Sequence, residues 1–287
     1  MSVVPGLDVY LFIPTYNEAE NVDEVVRAAH AALARSVTGS FRVVVVDDAS
    51  PDGTGALADG LAAELDEVEV VHRPTKQGLG RAYLAGLQHA LAAGAQLVMV
   101  MDADLSHDPG EIGTLLAAAQ SADVVIGSRY VAGGRVLDWP PLRRTLSRLG
   151  SLYARTLLGM DTADLTGGFR AFRRCVLEAV ELRTLRSQGY VFNIELAYRA
   201  HRAGFALAEV PITFRERRRG QSKISLAIAI EALWLVPTLR FRRLARLWPS
   251  RSTPLADPTL APELAHMPIA PGPDLAQAER RATSGGQ

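Results

Sequence analysis

Leu97-Val98-Met99-Val100-Met101-Asp102-Ala103-Asp104 is an apolar run that stops on two carboxylates. A strand covered on both faces reads as such a continuous run. Side chains alternate along a strand with period two, so two acids one residue apart reach the same edge of a sheet. Like charges held that close are costly unless a cation lies between them. Hard oxygen ligands suit Mg²⁺ or Mn²⁺. Such a metal commonly holds a diphosphate, so the stretch points to a nucleotide-dependent enzyme.

The same pattern repeats toward the N-terminus. Apolar runs predict strands at 8–13, 41–47, 68–72, 97–102 and 124–127, with amphipathic stretches at 20–36, 54–66, 79–93 and 110–120 between them. Apolar strands alternating with helices imply an α/β fold, a mostly parallel sheet with helices on both faces. Ligands in such sheets bind outside the carboxyl ends of the strands. Beyond residue 127 the pattern loosens. Helices are expected at 139–158 and 191–203, a strand at 206–214, and one apolar-basic helix at 224–246 with a kink at Pro237. From Pro249 the chain is rich in Pro, Ala, Ser and Gly without periodicity and reads as a disordered tail. The expected organisation is a catalytic α/β domain over 1–225, an amphipathic helix over 226–248 and the tail over 249–287.

The 287 residues carry 31 basic and 31 acidic side chains. Zero net charge argues against a nucleic-acid partner. The balance is uneven along the chain. Residues 1–126 hold 18 acids and 6 bases, residues 127–174 hold 9 bases and 3 acids, and residues 215–246 hold 9 bases and 2 acids. The first part suits a cation, and the later parts suit anions or a membrane surface, or are simply solvated charged faces. Cys175 is the single cysteine, which excludes a disulfide framework and a thiolate zinc site. No secretory leader is expected at the N-terminus, and no run reaches the ~18 apolar residues of a membrane span.

Every polar cluster falls at an expected strand end. Pro14-Thr15-Tyr16-Asn17-Glu18 offers an aromatic and a carboxylate to a nucleoside, or alternatively a helix start capped by Asn17. Asp47-Asp48-Ala49-Ser50-Pro51-Asp52-Gly53-Thr54 follows four valines. Its adjacent aspartates point to opposite sides, so one can meet a ligand while the other takes a structural bond. Lys76-Gln77-Gly78-Leu79-Gly80 opens a helix and allows close backbone approach to an anion, though a plain turn has the same composition. Gly127-Ser128-Arg129-Tyr130 places a cation at a strand end. Arg217 and Lys223 flank Gly220 in a loop that either closes over phosphates or precedes a helix capped by Ser222.

These motifs, in this order, with Thr166-Gly167-Gly168-Phe169-Arg170 and Gly220-Gln221-Ser222-Lys223, resemble glycosyltransferase family 2, whose fold is called GT-A. The resemblance runs from about residue 8 to about residue 225, and is strongest to members that move mannose from GDP-mannose to a polyprenyl (dolichyl-type) monophosphate. It implies that Pro14, Tyr16, Glu18, Val46 and Asp48 line the nucleotide pocket and that Lys76 and Ala103 join the substrate site. Asp102 and Asp104 would reach the metal and the sugar-nucleotide. Arg129, Arg217 and Lys223 would bind phosphates, with Asp102, Asp104 and Arg129 closest to the chemistry. Members often carry Gln as a further metal ligand two residues after the second aspartate. Here that position is Ser106, a shorter and weaker ligand, and Asp108 replaces a frequent proline. The implied reaction is metal-dependent and inverting.

The implied acceptor is a phosphate monoester, which needs no strong general base, and His107, the nearest candidate, is read as structural. Residues 224–246 pair Trp234 and Phe241 with arginines, as suits either an interfacial helix or one packed on the domain. The expected location is the cytoplasmic face of a membrane, by peripheral contact or a membrane-anchored partner. Two alternatives stand beside this reading. One is a glucosyltransferase using UDP-glucose on the same lipid phosphate. The other is a nucleotidyltransferase, which would carry a Gly-rich basic loop after the first strand.

Overall fold

The computed structural model describes residues 6–185, 187, 189–216 and 226–240. The chain opens with β1 (Val9–Thr15), α1 (Val22–Ser36), β2 (Phe41–Asp47), α2 (Thr54–Glu64), β3 (Val68–His72), α3 (Leu79–Ala92) and β4 (Leu97–Val100). A 3-10 turn (Pro109–Glu111), α4 (Ile112–Ala118) and β5 (Val124–Ser128) follow. Each lies within a few residues of the sequence expectation. The second half adds β6 (Arg135–Val136), α5 (Pro141–Leu158), β7 (Arg170–Arg173), α6 (Arg174–Ala179), α7 (Gly189–Arg202), β8 (Leu207–Pro211), β9 (Thr213–Phe214) and α8 (Leu226–Arg240).

The main sheet has seven strands in the order β3-β2-β1-β4-β7-β5-β8. All pairs are parallel except those of β7, which runs antiparallel to both β4 and β5. The strand order reverses at β1, so a crevice opens between the carboxyl ends of β1 and β4.

Period two divides the core into two layers. Val43 and Val45 of β2 pack with α1, α2 and α4, whereas Val44 and Val46 pack with α3, α6 and α7. On β4 the alternation outlasts the ladder: Leu97, Met99, Met101 and Ala103 all lie in the α1 layer. Helix α3 approaches β1 closely at Gly86, where a Cβ would sit 2.8 Å from the Phe12 ring.

Three expectations need correction. The strand at 97–102 ends at Val100, although the Met101 N–H still reaches Phe12 O at 3.2 Å. The strand at 206–214 is two strands in different sheets. Ile212 turns its N–H to Ser128 O and the chain then pairs β9 with β6. Helix α8 runs through Pro237, and its sequence over 226–240 is apolar apart from Glu231, Thr238 and Arg240, without the two-faced pattern expected of the 226–248 segment. The rest of that segment, and the tail, lie outside the described residues. Among the described residues no helix is long and apolar enough to cross a membrane.

Candidate active site

Three chain reversals stand side by side at the carboxyl ends of β1, β2 and β4. Each holds a non-glycine residue in the left-handed region: Asn17 at φ 56°, Ala49 at φ 57° and Leu105 at φ 59°. Such backbone costs free energy and persists only where surrounding bonds over-determine it. Those bonds are present. The Asn17 N–H donates to Ser50 Oγ at 3.0 Å, the Glu18 N–H to Thr54 Oγ1 at 2.9 Å and the Ala19 N–H to Asp52 Oδ2 at 3.1 Å. The first two reversals are therefore stitched together. Helix α1 begins at Val22 after Asn21, so Asn17 is not its cap.

The paired aspartates after β2 divide their work as period two requires. Asp47 accepts from Ser50 N–H at 3.0 Å and Thr15 Oγ1 at 3.1 Å, within the turn. Asp48 faces the other way. It pairs with Arg73 and accepts the backbone N–H groups of Gln77 at 3.2 Å and Gly78 at 3.0 Å. This ties the glycine turn before α3 to β2. Burial pulls the Arg73 guanidinium down, and Asp48 pushes it partly back. Lys76 Nζ stands 3.6 Å over the Tyr16 ring, which brings those two expected ligands into one place. Glu18 accepts from Asn21 Nδ2 at 2.9 Å. Pro14 and Val46 are buried, and the Val46 side chain belongs to the core layer under α3.

Beyond β4, Tyr83 Oη donates to Asp102 Oδ1 at 3.3 Å, and the Ser106 N–H donates to Asp104 Oδ1 at 3.1 Å. Asp104 is buried, whereas Asp102 keeps 24% of its side chain exposed. Gly168 abuts Asp102: a Cβ there would sit 3.2 Å from both carboxylate oxygens. Asp108 caps the 3-10 turn by accepting the Gly110 N–H at 2.8 Å.

No group of three His, Cys, Asp or Glu side chains among the described residues is arranged to hold a metal. The turn instead offers two carboxylates and the Ser106 hydroxyl, whose oxygen is buried with no hydrogen-bond partner among the described residues. A hard-oxygen donor set containing an orphaned buried hydroxyl fits Mg²⁺ or Mn²⁺.

His107 is not placed to act as a base. It is buried between the Phe169 and Phe214 rings, with centroids 5.3 and 5.2 Å away. Its Nδ1 accepts the Asp102 N–H at 3.3 Å, which leaves the proton on Nε2. Burial lowers its pKa against the pull of Asp102 and Asp104, so the ring is neutral. Its 3.8 Å approach to Asp102 Oδ2 is then no ion pair.

At the carboxyl end of β5, beyond β7, Arg129 is expected to bind phosphate, and the structure shows what holds it. Its Nε and Nη2 donate to the two oxygens of Asp164, both at 2.7 Å, and Nη2 also reaches Thr166 Oγ1 at 2.8 Å. Asp164 is fully buried. Burial raises its pKa, but the charge and hydrogen bonds of Arg129 outweigh that and hold it below the ordinary carboxyl range. Glu209 accepts the Ala163 and Asp164 N–H groups at 2.6 and 2.9 Å. Arg170, also fully buried, donates to the carbonyls of Gly167, Asn193 and Leu165 at 2.8, 2.7 and 2.6 Å. Burial pushes its pKa down to about 10.

Arg73, Asp164 and Glu209 escaped the sequence reading. Only Asp164 left a signal, a lone acid two residues before Thr166-Gly167-Gly168. Arg217 and Lys223 lie outside the described residues, but the Arg215 N–H donates to Ser106 O at 3.0 Å, so the chain entering that loop is anchored to the acidic turn.

The family described as Glycosyl transferase family 2 matches residues 10–181. The chain is 48% identical over 237 residues to the polyprenol monophosphomannose synthase of Mycolicibacterium smegmatis, covering 82% of this chain and 88% of that one. It is 46% identical over 225 residues to the undecaprenyl-phosphate mannosyltransferase of Micrococcus luteus, covering 78% and 90%. Among solved structures it is similar to glucosyl-3-phosphoglycerate synthase from Mycobacterium tuberculosis in complex with Mn²⁺, UDP-glucose and phosphoglyceric acid. That likeness has a TM-score of 0.60 at 17% identity over 82% of this chain and 80% of that one, and supports the fold alone.

Proposed function

The chain belongs to glycosyltransferase family 2, and from that premise we propose that it transfers mannose from GDP-mannose to a polyprenyl monophosphate, with inversion. The observation that carries the reading is the meeting of an acidic turn (Asp102, Asp104, Ser106) with the Arg129 wall across the 164–170 turn. The two mannose-transferring relatives, each similar over most of its length, support the sugar and the acceptor class.

The leaving group is a nucleoside diphosphate whose negative charge grows as the anomeric bond breaks. Asp102, Asp104 and Ser106 would hold a divalent cation, which when bound supplies a Lewis acid for that charge. Arg129 supplies fixed positive charge, oriented by Asp164 so that it need not reorganise. The anomeric carbon becomes oxocarbenium-like in the transition state, and Asp102, the more exposed of the two carboxylates, stabilises that charge. The acceptor phosphate is largely dianionic at neutral pH, its second pKa being about 6. It is already a nucleophile, which agrees with the neutral, enclosed His107. Displacement in one step gives a β-linked product. A lipid acceptor requires work at a membrane surface, and we place the enzyme at the cytoplasmic face by peripheral contact.

The test is transfer of label from GDP-mannose or UDP-glucose to short polyprenyl phosphates with Mg²⁺ or Mn²⁺. Label entering the organic phase from GDP-mannose is the expected result. Label from UDP-glucose alone would overturn the donor, and no label from either would overturn the reading.

A further inference from the structure

Of the seven large hydrophobic side chains exposed among the described residues, six lie on α5 and α8: Leu142, Leu146, Leu149, Leu152, Leu233 and Trp234. The two helices pack together. Tyr153 Oη donates to Leu233 O at 3.0 Å, and Arg240 Nη1 donates to Leu158 O at 3.1 Å. At 3.6 residues per turn the four α5 leucines fall within an arc of about 120°. The opposite side buries Ser151, Ala154 and Leu158. Leu142 is 71% exposed and Trp234 77%, so this is a contiguous apolar stripe and not the rim of a core.

The charge on α5 itself is one-sided, although Arg143 is paired with Glu216 of the chain after β9. Helix α5 carries Arg143, Arg144, Arg148 and Arg155 and no acid. On the helical wheel Arg143 borders the leucines on one side, and Arg148 and Arg155 on the other. Two copies meeting on this face would oppose arginine to arginine, which disfavours a second copy as its cover. An anionic lipid surface takes leucines into its acyl boundary and arginines into its headgroups.

The inner side of the same helix touches the active site. Tyr130 Oη donates to Ser147 Oγ at 2.7 Å, Arg143 Nη1 donates to Glu216 at 2.5 Å, and Arg148 stands 5.6 Å over the Tyr130 ring. Helix α5 is thus bonded on one side to the residue after Arg129 and exposes leucine on the other.

We propose that α5, with Leu233 and Trp234 of α8, is the membrane-contact surface, docking on anionic lipid and setting the Arg129 wall at headgroup level where a lipid phosphate lies. The proposal rests on the lipid-phosphate acceptor of the preceding section and moves the principal contact from the 224–246 segment to α5.

The experiment floats the full chain with phosphatidylcholine vesicles, with and without phosphatidylglycerol. It compares wild type with the triple variant Leu142→Ser, Leu146→Ser, Leu149→Ser and with Arg148→Glu. The triple variant is expected to lose about tenfold in bound fraction on the anionic vesicles. Its melting temperature and its transfer to a short, detergent-soluble acceptor should stay at wild-type level, because the leucines are exposed. Arg148→Glu should weaken flotation on anionic vesicles only. Unchanged flotation of the triple variant would overturn the proposal. So would a dimer-to-monomer change in sedimentation without loss of flotation, which would make a second copy the occupant. Normal flotation of a wild type that transfers sugar to no lipid phosphate would instead sink the functional reading and leave the surface standing.

Discussion

The acidic turns after β2 and β4 and the basic wall around Arg129 after β5 lie along the same edge of the sheet but are assembled in different ways. Four of the six aspartates in the two turns are held by near neighbours: Asp47 by Ser50, Asp52 by Thr54, Asp104 by Ser106 and Asp108 by Gly110, while Asp48 reaches Arg73 and Asp102 reaches Tyr83. On the second side the partners are distant in sequence. Arg129 meets Asp164, Glu209 meets Ala163, and Arg143 meets Glu216. The acidic side is largely local backbone geometry decorated with carboxylates, its turns then stitched to one another by the bonds from residues 17–19 to residues 50–54. The basic side exists only once the whole second half has packed. Charge changes on the first side should therefore damage chemistry, and on the second side stability as well.

The largest effect expected is on the first side. Asp104→Asn keeps an oxygen for the Ser106 N–H but removes the charge. Transfer should fall by about a thousandfold while the melting temperature barely moves. Near-normal turnover would break the comparison at its strongest point.

Next comes Asp164→Ala, which leaves the Arg129 guanidinium buried without its counter-charge and should cost about 3–5 kcal/mol of stability. Denaturant unfolding reads this directly. Combining Arg129→Met with Asp164→Leu sharpens the contrast, because an apolar pair of similar volume should restore stability but not transfer. If activity returned with stability, Arg129 would have no part in the chemistry. The pH dependence has a definite sign. The carboxyl of Asp164 is held below its ordinary value, so the pair stabilises wild type above pH of about 4. That contribution is lost as pH falls through the lower folded value, and the apolar double variant should gain on wild type only in acid.

The smallest effect concerns Glu111, which accepts the Thr213 N–H at 2.7 Å and so fastens β9 to the turn after the acidic site. Burial, opposed by that bond, pushes its carboxyl up to about 7. Wild-type stability should decline as pH rises from the ordinary Glu value of about 4.3 toward 7 and then level off. Glu111→Gln should flatten that slope and melt a few degrees above wild type in alkaline buffer. An unchanged slope would show that Glu111 ionises freely.

The same local-against-distant contrast decides what could be read from the sequence. The first five strands and four helices were legible because each apolar period lies in one contiguous window. Asp102, Asp104, Tyr16 and Lys76 were legible because a short turn carries them. Strand β7 was not, since Arg170-Ala171-Phe172-Arg173 has no long apolar run and gains its place only by filling the gap between β4 and β5. Asp164 and Glu209 were invisible as partners for a related reason: nothing in a linear chain states which buried acid will meet which arginine. The split of β8 from β9 had a local trace in Pro211, but its cause is Ser128 O, a carbonyl from another strand.

Strand β7 also bears on the order of synthesis. The ribosome delivers β4 well before residues 170–173, and β5 arrives in between, yet β4 and β5 never pair with each other. At about 5–20 residues per second, the open edge of β4 waits several seconds for its partner, with β5 already made but not paired to it. A bare apolar strand edge is a template for pairing with other chains. The nascent protein therefore passes through a window of exposure that the finished sheet conceals, and any chain ending before Arg170 never leaves it.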